Sequence, residues 1–323
     1  MTRDEPYLFV ERDRCPACLS QDVEVVYESR FNEGPVAIFV RDYYGIDPGV
    51  LGHARFSLRR CSNCSLLYQA WVGDERLLAE LYGEWINESG DPAHDPVYTA
   101  VMAHPLESRD AHEMLSAAAF LGKEPCELCT LDHGMGWAMW ARVARALGCR
   151  SYGTELSPSR EEFARAHGIA VVPANVLPQQ QFDFINTEQV MEHLPQLRET
   201  AERLRDALRP GGVLKISVPS ADHVASVIQK LSGGHAALSC EELMPVQPLE
   251  HVNSFTSQSI LTLAASLGLN VVRPSIPDRY AFLSRPGTLS ARRFSNSVKE
   301  LVRPFYTYRN RSNLYFWLQK GPA

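Results

Sequence analysis

The stretch CTLDHGMGWAMWARVARALGCRSYGTELSP, residues 129–158, changes its hydrophobic period twice. Leu128 to Leu131 is a short apolar run, and Gly134-x-Gly136 breaks it into a helical pattern carrying Met139, Val143, Ala146 and Leu147. Ser151 to Thr154 then returns to strand spacing. Strand, glycine turn, helix and strand in that order predict a βα crossover unit, which commits the chain to a parallel α/β sheet. Glycines at 134 and 136 permit positive φ and let backbone approach a ligand with no Cβ in the way. Glu155 lies 19 positions beyond Gly136. A carboxylate roughly 20 residues on is placed to accept hydrogen bonds from the ribose hydroxyls of a nucleoside.

Two kinds of nucleotide site share this geometry. A dinucleotide site needs a third small residue so that pyrophosphate can rest on the helix N-terminus, and here that position is Met139. Asp132, at the end of the first strand, would repel a pyrophosphate but suits an ammonium group. The pattern Asp132-x-Gly134-x-Gly136-x-Ala138 resembles motif I of the class I S-adenosylmethionine-dependent methyltransferases, with Ala138 standing for the last glycine and bulky Trp137 before it. QFDFINTEQVMEHLPQ (181–196) is similar to that family's fourth strand and following helix, and LRPGGVLKISVPS (208–220) to its fifth strand. LEHVNSFTSQSILTLAASLGL (249–269) resembles the segment leading into its next helix. The resemblance implies a Rossmann-like seven-stranded methyltransferase sheet and S-adenosylmethionine as cofactor. It places Asp132, Gly134, Gly136, Glu155, Asn175, Asn186 and Thr187 around that cofactor, Glu155 on the ribose and Asn175 near the adenine amine. Val271–Val272 and Leu314 to Leu318 are expected to close the sheet as an antiparallel pair.

Cys15-Pro16-Ala17-Cys18 and Cys61-Ser62-Asn63-Cys64 are two C-x2-C knuckles separated by 42 residues. Four thiolates so spaced supply a closed tetrahedral S4 shell, which suits a structural zinc rather than a catalytic one. Leu19 and Ser65 stand where a knuckle usually carries glycine. Cys126 and Cys129 fall where the first core strand should run and read as core packing; Cys149 and Cys240 are isolated. No secretory segment precedes the knuckles, so reduced thiols in a soluble cytoplasmic protein are expected. The division expected is a zinc module over 1–75, a helical connector over 76–120, and a methyltransferase domain over 121–323, with 274–313 a lid or acceptor wall inside it.

A sulfonium methyl is already electrophilic, so the protein has to align an acceptor with it, exclude water, and remove a proton from the acceptor. In open α/β sheets that chemistry belongs at the carboxyl ends of the strands. Glu188, Glu192 and His193 lie beyond the fourth strand, Glu250 and His251 beyond the fifth. Glu250-His251 resembles the active-site pair of zinc-containing C-methyltransferases acting on nucleotide-linked ketosugars, which also begin with a four-cysteine module. The resemblance implies His251 as base and Glu250 as its partner; His193, from its place beyond the fourth strand, reads as a helix-packing residue or a second base. The tyrosines accompanying that pair are not evident, because Asn253, Ser254 and Phe255 stand in their place. The expected acceptor is a small molecule, a sugar or sugar nucleotide. A catalytically silent cofactor- or zinc-binding scaffold and a nicotinamide dehydrogenase are the alternatives.

Net charge of −6 without a sustained Lys/Arg run argues against nucleic acid as partner. Arg292, Arg293, Lys299, Arg303, Arg309 and Arg311 form a local basic cluster interleaved with Phe294, Phe305, Tyr306 and Tyr308, which reads as a solvated face or an anion contact. No apolar run approaches the roughly 20 residues needed to span a membrane. Oligomeric state is not legible.

Overall fold

The computed structural model describes residues 7–52, 54–86, 90, 92–233, 238–284 and 312–322. The N-terminal part holds β1 (Phe9–Glu11), β2 (Val23–Arg30), α1 (Gly34–Tyr44), β3 (Arg55–Cys61), β4 (Leu67–Gln69) and β5 (Trp71–Gly73). Three helices follow: α2 (Glu75–Glu80), α3 (Pro96–Ala103) and α4 (Arg109–Leu121). The alternating region runs β6 (Cys129–His133), α5 (Met139–Ala146), β7 (Arg150–Thr154), α6 (Pro158–Ala166), β8 (Ala170–Val171), β9 (Phe182–Glu188), α7 (Leu197–Ala207) and β10 (Leu208–Pro219). The remainder is α8 (Asp222–Ser232), α9 (Cys240–Leu243), β11 (Asn253–Ser254), α10 (Ser257–Ser266), β12 (Leu269–Val272), α11 (Ile276–Arg279) and β13 (Asn313–Lys320).

Seven strands form the main sheet in the order β12-β13-β10-β9-β6-β7-β8. β10, β9, β6, β7 and β8 run parallel, while β13 is antiparallel to both β10 and β12. This is the seven-stranded α/β sheet expected from the sequence, and Val271 pairs with Leu318 as the closing antiparallel strands require. Chain order reverses between β6 and β9, which makes their carboxyl ends the crevice where ligands bind in such sheets. Both faces of the sheet are covered, so its central strands are apolar runs rather than alternating ones. One face packs Leu131, Ile185 and Leu214 under Leu204 of α7 and Leu263 of α10. The other packs Phe184, Val213 and Trp317 under Met114 of α4 and Trp140 of α5.

The second sheet has the order β11-β4-β3-β2. Its edge strand β11 comes from the chain just after His251 and pairs with β4, Asn253 opposite Tyr68. Arg12 clamps the same junction, donating to the carbonyls of Gln69 (2.6 Å) and Val252 (2.6 Å) and to Asn253 Oδ1 (2.9 Å). The cysteine-bearing segment and the Glu250–His251 segment are therefore held as one piece.

Two local expectations differ. The N-terminal region contains, besides strands, helix α1, where Pro35 opens the first turn and Gly45 closes it at φ 69°. Cys126 is exposed in a short 3-10 turn ahead of β6, and only Cys129 is on the strand and buried. The basic–aromatic cluster and most of the 274–313 segment lie outside the described residues. No described helix is long and apolar enough to cross a membrane.

Candidate active site and cysteine centre

β6 ends in Asp132 and His133, and the chain then turns through Gly134 (φ 70°) and Gly136 (φ 52°). A Cβ on Gly134 would lie 2.8 Å from the Val190 side chain, whereas one on Gly136 would meet nothing within 4 Å. The first glycine is needed by the protein's own close approach, and the second leaves room for a ligand. Met135 turns inward onto Gly153, where a Cβ would lie 2.0 Å from its sulfur. Ala138, in place of the last glycine, starts α5 at φ 56° and is fully buried. Trp137 packs edge-on against Phe163 (5.2 Å), with Arg160 over its ring.

Glu155 is brought to this turn: its carboxylate accepts from the Gly136 amide (2.8 Å) and from the amides of Leu156 (2.8 Å) and Ser157 (3.0 Å). Asp132 and Asn186 are register partners across β6 and β9, and Asn186 Nδ2 donates to Asp132 at 2.7 Å. Burial pushes the Asp132 carboxyl up to about 7. Asn186 Oδ1 is buried with no hydrogen-bond partner among the described residues, an acceptor left over for an ammonium or amide donor. Thr187 spends its hydroxyl on the Lys215 carbonyl (2.7 Å) and serves the sheet. Asn175 is exposed in the turn after β8. The residues fit the sulfonium nucleoside implied by the sequence: a bare glycine turn, a carboxylate at its rim, and a buried acid–amide pair at the strand switch.

Beyond β9, a short turn over Met191–His193 carries His193, and His251 approaches it just ahead of β11. Their ring centroids are 5.0 Å apart, and the Glu192 carboxylate lies beside both. The Tyr82 hydroxyl is 3.3 Å from His193 Nδ1. Burial pushes His251 down to about 4; burial together with His251 pushes His193 down to about 3. Both rings are neutral near pH 7 and able to accept. The carboxylate of Glu250 accepts from Gln247 (2.7 Å), the neighbouring Tyr44 hydroxyl donates to the Pro248 carbonyl, and the His251 ring bonds the Pro245 carbonyl. Tyrosines do surround the pair after all, but Tyr43 and Tyr44 come from α1 and Tyr82 from the turn after α2, where local sequence gave no signal.

Sequence reasoning also passed over a buried ionic group at the same end of the sheet. Lys215 is 2 % exposed and reaches Glu113 (3.0 Å) and Glu188 (2.5 Å). Tyr315 donates to Glu113 at 2.6 Å. A lysine inside the apolar run of β10 was the available signal, because such a charge is retained only when paired.

In the N-terminal sheet, one sulfur from each of Cys15, Cys18, Cys61 and Cys64 lies within 4.8 Å of the others. Cys15–Cys64 and Cys18–Cys61 are each 3.5 Å apart, close to the roughly 3.8 Å edge of a tetrahedron with 2.3 Å metal–sulfur bonds. Amides of Ala17 and Cys18 point at the Cys15 sulfur. Each knuckle closes with an amide-to-carbonyl bond of 2.9 Å, Leu19 to Cys15 and Ser65 to Cys61. This donor set fits a metal ion.

A family model described as a methyltransferase domain matches residues 106–273, just over half of the chain, and the protein belongs to that family. The enzyme class expected from the sequence, an S-adenosylmethionine-dependent methyltransferase, stands. Among solved structures, the fold is similar to a 1,6-didemethyltoxoflavin-N1-methyltransferase from Burkholderia thailandensis, at 18% identity over 69% of this chain and 82% of that one, TM-score 0.40. It is also similar to an S-adenosylmethionine dependent methyltransferase from Mesorhizobium loti, at 16% identity over 65% of this chain and 100% of that one, TM-score 0.43. A phosphoethanolamine N-methyltransferase from Haemonchus contortus is 16% identical over 76% of this chain and 59% of that one, TM-score 0.43. No curated protein sequence matches the chain.

Proposed function

We propose that this enzyme methylates a sugar or sugar nucleotide, and that a structural zinc in the four-cysteine centre holds the acceptor side of the site in place. Bound S-adenosylmethionine would supply an electrophilic methyl on a sulfonium. Glu155 holds the ribose at the Gly136 turn, Asp132 and Asn186 order the amine, and Asn175 lies toward the adenine. Val190 ties the two halves together, because its side chain packs on Gly134 while its carbonyl accepts the His193 amide at 3.0 Å. That contact carries the reading, because it ties the turn bearing His193 to the glycine turn of the cofactor crevice. The acceptor loses its proton at the His193–His251 pair, His251 leading, while Glu250 supports the segment through Gln247 and Tyr44 through the Pro248 carbonyl. The sugar class is supported by the likeness of the four-cysteine module and Glu250-His251 to ketosugar C-methyltransferases. The division into 1–75, 76–120 and 121–323, and a cytoplasmic setting with reduced thiols, belong to the same reading.

The test is a panel of nucleotide-linked sugars and ketosugars incubated with S-adenosylmethionine and read by mass spectrometry for a gain of one methyl. His251→Ala should keep cofactor affinity within a few-fold and lose turnover by about 10²- to 10⁴-fold, the usual cost of removing proton-transfer chemistry. Turnover within a few-fold of the parent would move the proton acceptor elsewhere.

A further inference from the structure

Glu192 is 2 % exposed, and neither of its carboxylate oxygens accepts a hydrogen bond from another described residue. An ionised carboxylate without partners costs several kcal/mol in such a place unless a cation offsets it. Two imidazoles stand beside it. One ligand atom from each of Glu192, His193 and His251 lies within 4.8 Å of the other two. Two histidines and one carboxylate converging on a point are the donor set of open mononuclear sites for divalent transition metals. Ring orientation agrees: His251 bonds the backbone carbonyl of Pro245, and His193 that of Glu250. Bonds of this kind on one ring nitrogen fix the tautomer and leave the other nitrogen for a metal. Glu192 and His193 are neighbours on one turn, while β11 pairing with β4 holds His251 opposite them.

We propose that Glu192, His193 and His251 bind a divalent transition-metal cation, distinct from the four-cysteine centre, and that this cation holds an oxygen of the methyl acceptor. Three protein ligands leave coordination positions open; with the cation bound, the two histidines serve as its ligands in place of accepting the proton, and an acceptor oxygen held there releases its proton to solvent more readily. The inference rests on the reading of this rim as the acceptor site.

The probe is Mn2+, which prefers oxygen and nitrogen donors and competes poorly for four thiolates. Full-length protein is titrated against Mn2+ with the free ion followed by electron paramagnetic resonance, and S-adenosylmethionine binding is measured separately by calorimetry. The parent should bind one Mn2+ per chain, or retain one zinc beyond the thiolate-bound ion. Glu192→Gln and His251→Gln should each weaken Mn2+ binding by about tenfold or more, with circular dichroism unchanged. Absence of both Mn2+ binding and a second zinc in folded parent would overturn the proposal and leave Glu192 as a buried neutral acid. Variants that bind Mn2+ as tightly as the parent would overturn it too. If Glu192→Gln does not fold, the parent stoichiometry and His251→Gln decide. Failure of the acceptor-site reading shows differently, as His251→Ala turnover within a few-fold of the parent with Mn2+ binding by the parent intact.

Discussion

Leu19 and Ser65 hold φ of 61° and 62°, a region that costs a residue with a Cβ about 1–2 kcal/mol. Each is the residue after the second cysteine of its knuckle, so the chain has to take this turn to aim amides at the sulfurs. The missing glycines were legible in the sequence; that the turn keeps its shape without them was not. Leu19 is half exposed, so Leu19→Gly loses little burial. Relief of strain, less the extra unfolded-state entropy of glycine, should stabilise the protein by up to about 1 kcal/mol, seen as a rise in melting temperature of a few degrees or less. A fall would mean that the Leu19 side chain matters more than its backbone. At the cofactor crevice, Glu155→Ala should weaken S-adenosylmethionine binding about tenfold or more, since charge-assisted hydrogen bonds contribute about 1.5–3 kcal/mol. Equal calorimetric affinity for mutant and parent would take Glu155 out of the site.

At the scale of elements, the pairing of β6 with β7 carries its own pH dependence. His133 is buried at the end of β6, and its Nδ1 lies 2.8 Å from the Thr154 hydroxyl on β7. Burial, with a smaller push from Arg203, lowers it from an ordinary 6.5 to about 4. The folded state thus holds His133 neutral where the unfolded chain would protonate it. Its contribution is fully present above pH 6.5 and is lost as pH falls toward 4, about 3 kcal/mol over that window on the scale of 1.36 kcal/mol per unit. Melting temperature should therefore fall through that range in the parent and fall less steeply in His133→Asn; parallel curves would exclude His133 as the cause. Elements built from strong periodicity, such as α5, could be read directly. Helix α1 could not, because VAIFVRDYY is rich in β-branched and aromatic residues. What makes it helical is Pro35 at the start, Gly45 at the end, and Val36, Phe39, Val40 and Tyr44 buried on one face.

For the whole molecule, the four-cysteine centre and the acceptor side share a sheet, so damage to one should reach the other. Purified protein should carry one tightly bound zinc in the Cys15, Cys18, Cys61 and Cys64 shell, measured by elemental analysis. Cys61→Ser should lose it, unfold the N-terminal sheet and release β11 from β4. Acceptor turnover should then fall far more than S-adenosylmethionine affinity, because Gly136 and Glu155 belong to the main sheet. Intact turnover in a zinc-free Cys61→Ser protein would separate the two halves.

The sequence by itself determined the parallel sheet, the glycine turn and its carboxylate, and the two cysteine knuckles. Each of these is written within a short span, where backbone periodicity and local turn chemistry set the structure. Only the tertiary structure decided the acceptor rim. His193 and His251 meet because β9 ends beside the junction of β11 with β4, and Tyr44, Tyr82 and Arg12 arrive there from the N-terminal part. Lys215 finds Glu113 on α4 for the same reason. Contacts between distant segments depend on how layers stack, and no local pattern of residues encodes which side chain another layer will present.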